Sequence, residues 1–294
     1  MRLLNYDESL ELFCRHAFRS KFPIEGFKEL TLKAVRYCEG NPLALEVLGS
    51  SLSVDNNIQV WGSTLSSFEN NLHDKIQCVL IDSYNSLPHD CNRKLFLHIA
   101  CFFVGKDKDY VENILEGDFS ATSGIKILCD RCLLSVSLKN ELMMHRLLQE
   151  VGKDIVVKES EVLTERSRVW RSRDSYKILR RGKGSERVEG LALDMERLKE
   201  EEFAVRPSKL KTDALNNMDN LKLLQLNSVQ LTGSYENFSE DLRWLCWFGF
   251  HLENIPCELF MGNLVAIDMS SSKLKVFEPP TVENSESFFC GLSD

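Results

Sequence analysis

Leu134-Ser135-Val136-Ser137-Leu138-Lys139-Asn140-Glu141-Leu142-Met143-Met144-His145-Arg146-Leu147-Leu148 is the stretch that decides how this chain is read. Leucine and valine alternate with serine over Leu134 to Leu138, Lys139-Asn140 supplies a turn, and Glu141 to Met144 returns, the pattern of a β-hairpin. Helical spacing then resumes at Leu147. Upstream, Ile76, Val79, Leu80 and Tyr84 predict a helix stopped at Leu87-Pro88, and Leu95 to Phe103 a nearly all-apolar one that belongs in a core. Tyr110 to Leu115 and Gly124 to Cys132 predict two more. Helices followed by a terminal hairpin and one further helix are the outline of a winged helix, here over 73–160.

Residues 1–72 predict a helical bundle. Leu10, Phe13, Cys14, Ala17 and Phe18 recur at helical spacing after Asp7, a candidate N-cap. Phe27, Leu30, Thr31, Ala34 and Cys38 form a second stripe ending at Gly40. Asn41 then caps a third helix with Pro42 in its first turn, where the missing N–H is harmless. Leu43, Leu45, Val47, Leu48 and Leu52 continue it. Trp61, Leu65, Phe68 and Leu72 make a fourth face.

Downstream, 161–187 reads as a basic connector containing Arg166, Arg168, Arg171, Arg173, Lys177, Arg180, Arg181 and Lys183, partly ordered around Trp170. Its cations are expected to pair with acidic faces of neighbouring domains. A repeat follows over 188–277: Leu221-x-x-Leu224-x-Leu226, then Leu242-x-x-Leu245-x-Trp247, then Leu264-x-x-Ile267-x-Met269. A spacing of about twenty-one residues fits a leucine-rich repeat, with one short strand per unit. Val188-x-x-Leu191-x-Leu193 reads as the capping strand. Residues 278–294 keep no repeat pattern, and the chain reads as truncated there. The expected fold is therefore multidomain, mainly α and then α/β repeat: bundle, winged helix with a β-hairpin, short leucine-rich-repeat solenoid.

Bulk composition narrows the function classes. With 294 residues, 43% hydrophobic and 27% charged, the chain is globular in composition. A net charge of -8 disfavours a general nucleic-acid binder. No stretch has signal-peptide or membrane-spanning character, so the cytosol or nucleus is expected, with no membrane partner. The ten cysteines are then expected as free thiols. Cys129-x-x-Cys132 has no second pair and no nearby histidine, so no metal site is expected. No G-x-x-x-x-G-K-[ST] occurs, and Gly182-Lys183-Gly184-Ser185 has the wrong context, so a phosphate-cradling loop is missing. No catalytic residue is assigned.

Several motifs resemble one family, the plant TIR–NB-ARC–leucine-rich-repeat disease-resistance proteins. They are Gly40-Asn41-Pro42-Leu43-Ala44-Leu45, Phe96-Leu97-His98-Ile99-Ala100-Cys101-Phe102-Phe103, Met144-His145-Arg146, Arg166-Ser167-Arg168-Val169-Trp170 and Leu242-Arg243-Trp244-Leu245-Cys246-Trp247. Glu8 to Phe13 also resembles the segment before the family's helical subdomain. The resemblance covers the chain to about residue 277, and it implies a protein lacking the TIR domain and the P-loop subdomain. It implies roles in sensing ADP or ATP for Pro42, beside the adenine, and His145, toward the β-phosphate. Taken alone, Gly40-Asn41-Pro42 reads first as a tight helix–helix turn followed by core leucines, and His145 as a helix cap. Arg146 stands where the family has aspartate, and His98 where it has another; Met144 and Arg146 thus form a variant switch triplet. A charge-reversed Arg146 is expected to loosen ADP-dependent closure, since a cation opposes the dipole at a helix N-terminus.

The function expected is that of a non-enzymatic part of an immune receptor that acts in defence through protein–protein contact. Its expected partners are full-length receptor relatives and immune signalling components, with no nucleotide held tightly by this chain alone. Two alternatives stand: a winged-helix DNA-binding protein reading through Ser123 to Cys132, which offers only Lys126 and Arg131, or a fragment without independent function.

Overall fold

Helices occupy the first half of the chain and a parallel sheet most of the second. The computed structural model describes residues 3–53, 57–70, 74–201, 210–236, 238–275 and 289–291. Leu72, with the boundary at 72–73, and the start of the tail at 276–288 lie outside these residues.

The bundle comprises α1 (Tyr6–Phe18), α2 (Lys28–Cys38), α3 (Pro42–Leu52) and α4 (Ile58–Asn70). Its aromatic core is Trp61, contacted by Phe13, Phe18 and Phe27 with ring centroids 4.8–6.2 Å away. The cap of α1 is Asn5, two residues before the expected Asp7. Asn5 accepts from Glu8 N while Glu8 reaches back to Asn5 N, a reciprocal box that Asp7 cannot form from inside the first turn. Asn41 caps α3 as expected, accepting from Ala44 N at 3.2 Å.

The next unit runs through α5 (Asp74–Asn85), α6 (Asp90–His98), α7 (Lys108–Phe119) and α8 (Ala121–Asp130), then the hairpin β1 (Ser135–Val136) and β2 (Leu142–Met143), and α9 (Arg146–Glu159). The long apolar helix expected over Leu95 to Phe103 changes hand-over at its middle: Ile99–Phe103 is a π-helical turn. Gln149 Nε2 donates to the carbonyl of Ala100 inside that turn, at 3.0 Å, satisfying an acceptor that the wider turn leaves open. The hairpin has the expected turn but pairs only two residues per strand, Ser135 with Met143 and Val136 with Leu142. Leu134 and Leu142 are buried, whereas Val136 and Leu138 project into solvent beyond the core.

The second half is built on six parallel strands in the order β10-β9-β8-β6-β4-β3. They are β3 (Arg168–Val169), β4 (Gly190–Asp194), β6 (Leu223–Asn227), β8 (Trp244–Phe248), β9 (Ala266–Asp268) and β10 (Phe289–Gly291). The register places Leu191 beside Leu224, Leu224 beside Leu245 and Leu245 beside Ile267. β5 (Leu210–Lys211) and β7 (Leu231–Thr232) form a separate parallel pair. Between strands, α10 (Ser172–Arg181) and α11 (Met195–Glu201) supply helices.

Two expectations change here. The strand from Val188 to Leu193 is not at the rim, because the connector itself contributes β3 outside it. The tail likewise returns as β10, which pairs with the otherwise open edge of β9. Neither two- or three-residue strand carries enough alternation to be read locally; each forms because a neighbour presents unpaired N–H and C=O groups.

Alternation along the ladder divides the sheet's residues between two cores. Leu221, Leu224, Leu226, Leu242, Leu245, Trp247, Leu264, Ile267 and Met269 are all buried in one cluster with the segments behind the strands. The intervening residues, Leu223, Trp244 and Ala266, are buried in the other cluster, with the helical half. Both faces of the sheet are therefore covered at this end. Phe103 meets Trp244 with ring centroids 4.8 Å apart, and Trp244 Nε1 donates to Tyr110 Oη at 2.8 Å. At Gly190 an added Cβ would lie 2.6 Å from Phe102, so the absence of a side chain there lets β4 approach.

Candidate functional site

The α2–α3 turn and the start of α9 meet at a small cavity. Glu39 and Gly40 both adopt positive φ, turning the chain sharply out of α2. Gly40 has no alternative: its φ is 77°, and a Cβ would stand 2.4 Å from the carbonyl oxygen of Leu4. Asn41 and Pro42 follow as cap and first residue of α3.

His145 is the cap of α9. Its Nδ1 accepts from Leu147 N at 3.2 Å, which places the proton of the neutral ring on Nε2. Nε2 lies 3.0 Å from the carbonyl oxygen of Cys38 and donates to it. The same carbonyl accepts from Asn41 N at 2.8 Å, so both of its lone pairs are used. Only 6% of the His145 side chain is exposed. His145 thus caps its helix, as one of its two readings has it, and it also ties that helix to the turn that carries Pro42.

Asn41, Pro42, His145, Leu80, Arg131 and Leu148 are among the walls of the cavity, whose volume is about 130 Å³. Small-molecule pockets usually run to about 300–1,000 Å³, so this cavity is too small to enclose such a ligand by itself. Its surroundings are mixed in charge: two helix N-termini and Arg131 favour an anion, while the Glu39 carboxylate stands 4.0 Å from His145 Nε2. The N-termini of α3 and α9 both contribute, and each presents the positive end of a helix dipole. The Arg131 guanidinium stands nearby, held by donating from Nη1 to Ser86 O and Ser86 Oγ, both at 2.9 Å.

The remaining triplet residues face elsewhere. Met144 is buried in the apolar core. Arg146 donates from Nε to Glu150 Oε1 at 2.8 Å and lies over the Tyr37 ring, 5.5 Å from its centroid. Those two contacts offset the unfavourable dipole expected at the first position of α9. Lys126 and Arg131 lie on or just past α8, and Arg131 is already engaged with Ser86, so that helix offers little for reading a base edge.

Sequence reading did not bring together His98, Arg168 and Glu189. Arg168 is 2% exposed and donates from Nε to His98 Nδ1 at 3.2 Å. Its Nη2 lies 3.3 Å from Glu189 Oε2 and its Nη1 donates to Ser167 Oγ. His98 Nε2 is 3.3 Å from the same Glu189 oxygen. Burial, then the adjacent Arg168 charge, hold the imidazole down at about 3, so it is neutral. Burial alone would raise Glu189, but the His98 hydrogen bond and the Arg168 charge outweigh it and bring it to about 2. This cluster, with Lys222–Asp118 at 2.9 Å, fastens the parallel sheet to the helical half. The signal for it lay in two motifs quoted separately, with no clue that they touch.

Among the described residues no group of three His, Cys, Asp or Glu side chains could hold a metal ion, and no helix is long and apolar enough to cross a membrane.

Residues 89–160 match the winged-helix domain of Roq1-like disease resistance proteins. This chain carries that domain. Its likeness to plant TIR–NB-ARC–leucine-rich-repeat resistance proteins extends well beyond it. The chain is 32% identical over 296 residues to the disease resistance protein RUN1 of Vitis rotundifolia, covering 92% of the chain and 22% of that relative. To RPV1 of the same species it is 32% identical over 295 residues, covering 92% and 21%. To the disease resistance-like protein DSC1 of Arabidopsis thaliana it is 31% identical over 299 residues, covering 92% and 24%. The chain therefore spans between a fifth and a quarter of the length of these relatives.

Proposed function

We propose that this chain forms the nucleotide-sensing wall and the repeat-side clamp of a plant immune receptor, without catalytic chemistry of its own. The observation that carries the reading is the junction of Pro42 and His145 at one cavity, with two helix N-termini beside it. An anion favours such a wall, and the family resemblance names it as the β-phosphate of ADP, with Pro42 beside the adenine. The cavity is too small for a whole nucleotide, which fits a wall completed by a P-loop domain of the same family. ADP, on this reading, joins the two and holds the inactive state, while ATP releases it; the ligand biases a two-state equilibrium.

The strand ladder supports a second part of the proposal. Strands recurring at the spacing of the leucines, in parallel register, are the start of a leucine-rich-repeat solenoid. Its first strands press on the winged helix through Trp244 and Arg168, so a load on the repeats reaches α9 through packed side chains. The output is contact with other proteins in defence signalling, inside the cytosol or nucleus. Large apolar side chains left exposed on the bundle, including Tyr6, Phe22 and Ile58, suit such contact.

The test is capture of a purified P-loop nucleotide-binding domain of this family by the chain, in ADP, in ATP and without nucleotide. Capture that is strongest in ADP and lost in His145→Ala supports the proposal. Capture independent of nucleotide, or no capture, would falsify it.

A further inference from the structure

The basic connector holds a group of cations that the other described residues do not pair. Arg166 donates to Ser160 O, Arg168 is buried against His98, and Arg171 lies over the Trp170 ring. Arg187 pairs with Glu165 at 3.7 Å. By contrast, Lys177, Arg180, Arg181 and Lys183 are exposed and have no carboxylate partner among the described residues.

Their placement follows from the sequence of α10. Ser175, Tyr176, Ile178 and Leu179 are buried, so the opposite face must carry Arg173, Lys177, Arg180 and Arg181. Gly182, at φ 59°, ends the helix and brings Lys183 back beside it. The dipole at the C-terminus of α10 lowers the cost of Arg180 and Arg181. It does not explain why further cations gather on both flanks.

Two hollows lie on those flanks and share Arg181. One, of about 410 Å³, has a floor of Leu179, Leu210 and Ala214 and a rim of Arg180, Arg181 and Lys211, with Asp213. The other, of about 380 Å³, is lined by Val162, Leu163 and Ile178, with Lys177, Arg181, Lys183 and Glu161. Each holds three cations to one carboxylate, in a chain whose net charge is -8.

We propose that the C-terminal turn of α10 and these two hollows form a docking site for an acidic peptide segment with interspersed apolar side chains. Carboxylates meet the cationic rim, and apolar side chains enter the two hollows. Charge complementarity selects an anionic partner, and the floors select among anionic partners. Among the described residues, neither hollow is lined by an aromatic ring on which a base could stack, as single-stranded nucleic acid requires. Leu179, Leu210, Ala214 and Ile178 are also buried beneath the rim, with Val162 alone of the apolar lining exposed, whereas a membrane-surface helix projects its apolar groups outward. This site is separate from the nucleotide wall and stands or falls without it.

Fluorescence anisotropy on the intact chain tests the inference. The probes are a short labelled peptide alternating Asp or Glu with Leu, and a second of equal charge with Ser for Leu. The first is expected to bind about tenfold tighter than the second, and more weakly as salt rises. Arg180→Gln combined with Arg181→Gln is expected to weaken it about tenfold or more, with unfolding still cooperative, because both side chains are exposed and lose only their interaction with the helix dipole. Lys139→Glu, on the hairpin, is expected to leave binding as it was. Equal binding of the two peptides, no loss in the double variant, or no saturable binding overturns the proposal. So does tighter binding of single-stranded DNA or phosphatidylserine vesicles than of the acidic peptide.

Discussion

His145 Nε2 and the carbonyl oxygen of Cys38 are 3.0 Å apart, although 107 residues separate them in sequence. Through this bond the first turn of α9 is fixed to the turn that presents Pro42. A ligand that takes the Nε2 proton must displace Cys38 from it, leaving that carbonyl with Asn41 N alone. On the proposed reading, nucleotide sensing and domain closure share one proton on one side chain.

His145→Ala removes that bond and the α9 cap together. A lost cap costs about 1 kcal/mol and a lost hydrogen bond about the same, so a decrease of roughly 2 kcal/mol is expected. Urea unfolding measures it. A change under about 0.5 kcal/mol, the scale of an ordinary surface substitution, would contradict the bridging role.

Arg146→Asp is expected to leave stability within about 1 kcal/mol of the parent. An anion at the first position of α9 gains about 0.3–1 kcal/mol from the dipole, and loses the exposed Glu150 pair and the Tyr37 ring contact, each of similar size. Unfolding midpoints read this directly. The variant then reports on ADP retention in a complex with a P-loop domain, where tighter retention is expected; unchanged retention would refute the role assigned to this position.

Acid should loosen the joint between sheet and helices. The His98 value falls from 6.5 when unfolded to about 3 when folded, so the folded state binds fewer protons across that window. Its contribution is complete above pH 6.5 and drains away as pH falls toward 3. Glu189, lowered from 4.5 to about 2, adds a loss that begins below 4.5. Stability measured against pH is expected to decline from pH 6.5 downward in the parent, and less steeply between 6.5 and 4.5 in His98→Gln, where His251, also lowered by burial, still contributes. Identical profiles would rule the His98 contribution out.

Arg168→Met leaves the half-buried Glu189 with a neutral imidazole and Lys94 at 3.8 Å. Losing a hydrogen-bonded charge partner costs about 1.5–3 kcal/mol, and that loss is expected in urea unfolding. Gly190→Ala is expected to cost about 1–3 kcal/mol, because its Cβ must push Phe102 out of the contact with the sheet. A neutral Gly190→Ala would mean that the strand and the π-helical turn are not in the contact described.

Local periodicity carried much of the architecture. The hairpin turn at Lys139-Asn140, the Asn41 cap and the buried repeat leucines each follow from residues within one turn or one strand. What stayed hidden depends on contacts remote in sequence. Arg168 read as one more connector cation, yet it is buried because His98, 70 residues earlier, and Glu189 enclose it. Val136 and Leu138 alternated as if facing a core, but the hairpin tip extends past it. Pro42 and His145 were legible as motifs; that they share a cavity, and that His145 already spends its proton on Cys38, required the fold.

The most direct test of the nucleotide wall is calorimetric titration of ADP into the chain paired with a P-loop domain of its family, beside the same pair carrying His145→Ala. A loss of affinity of about tenfold or more, on the order of one charge-assisted hydrogen bond, is the predicted result. Equal affinity in the two would contradict the account, leaving His145 a helix cap tied to Cys38 with no part in binding nucleotide.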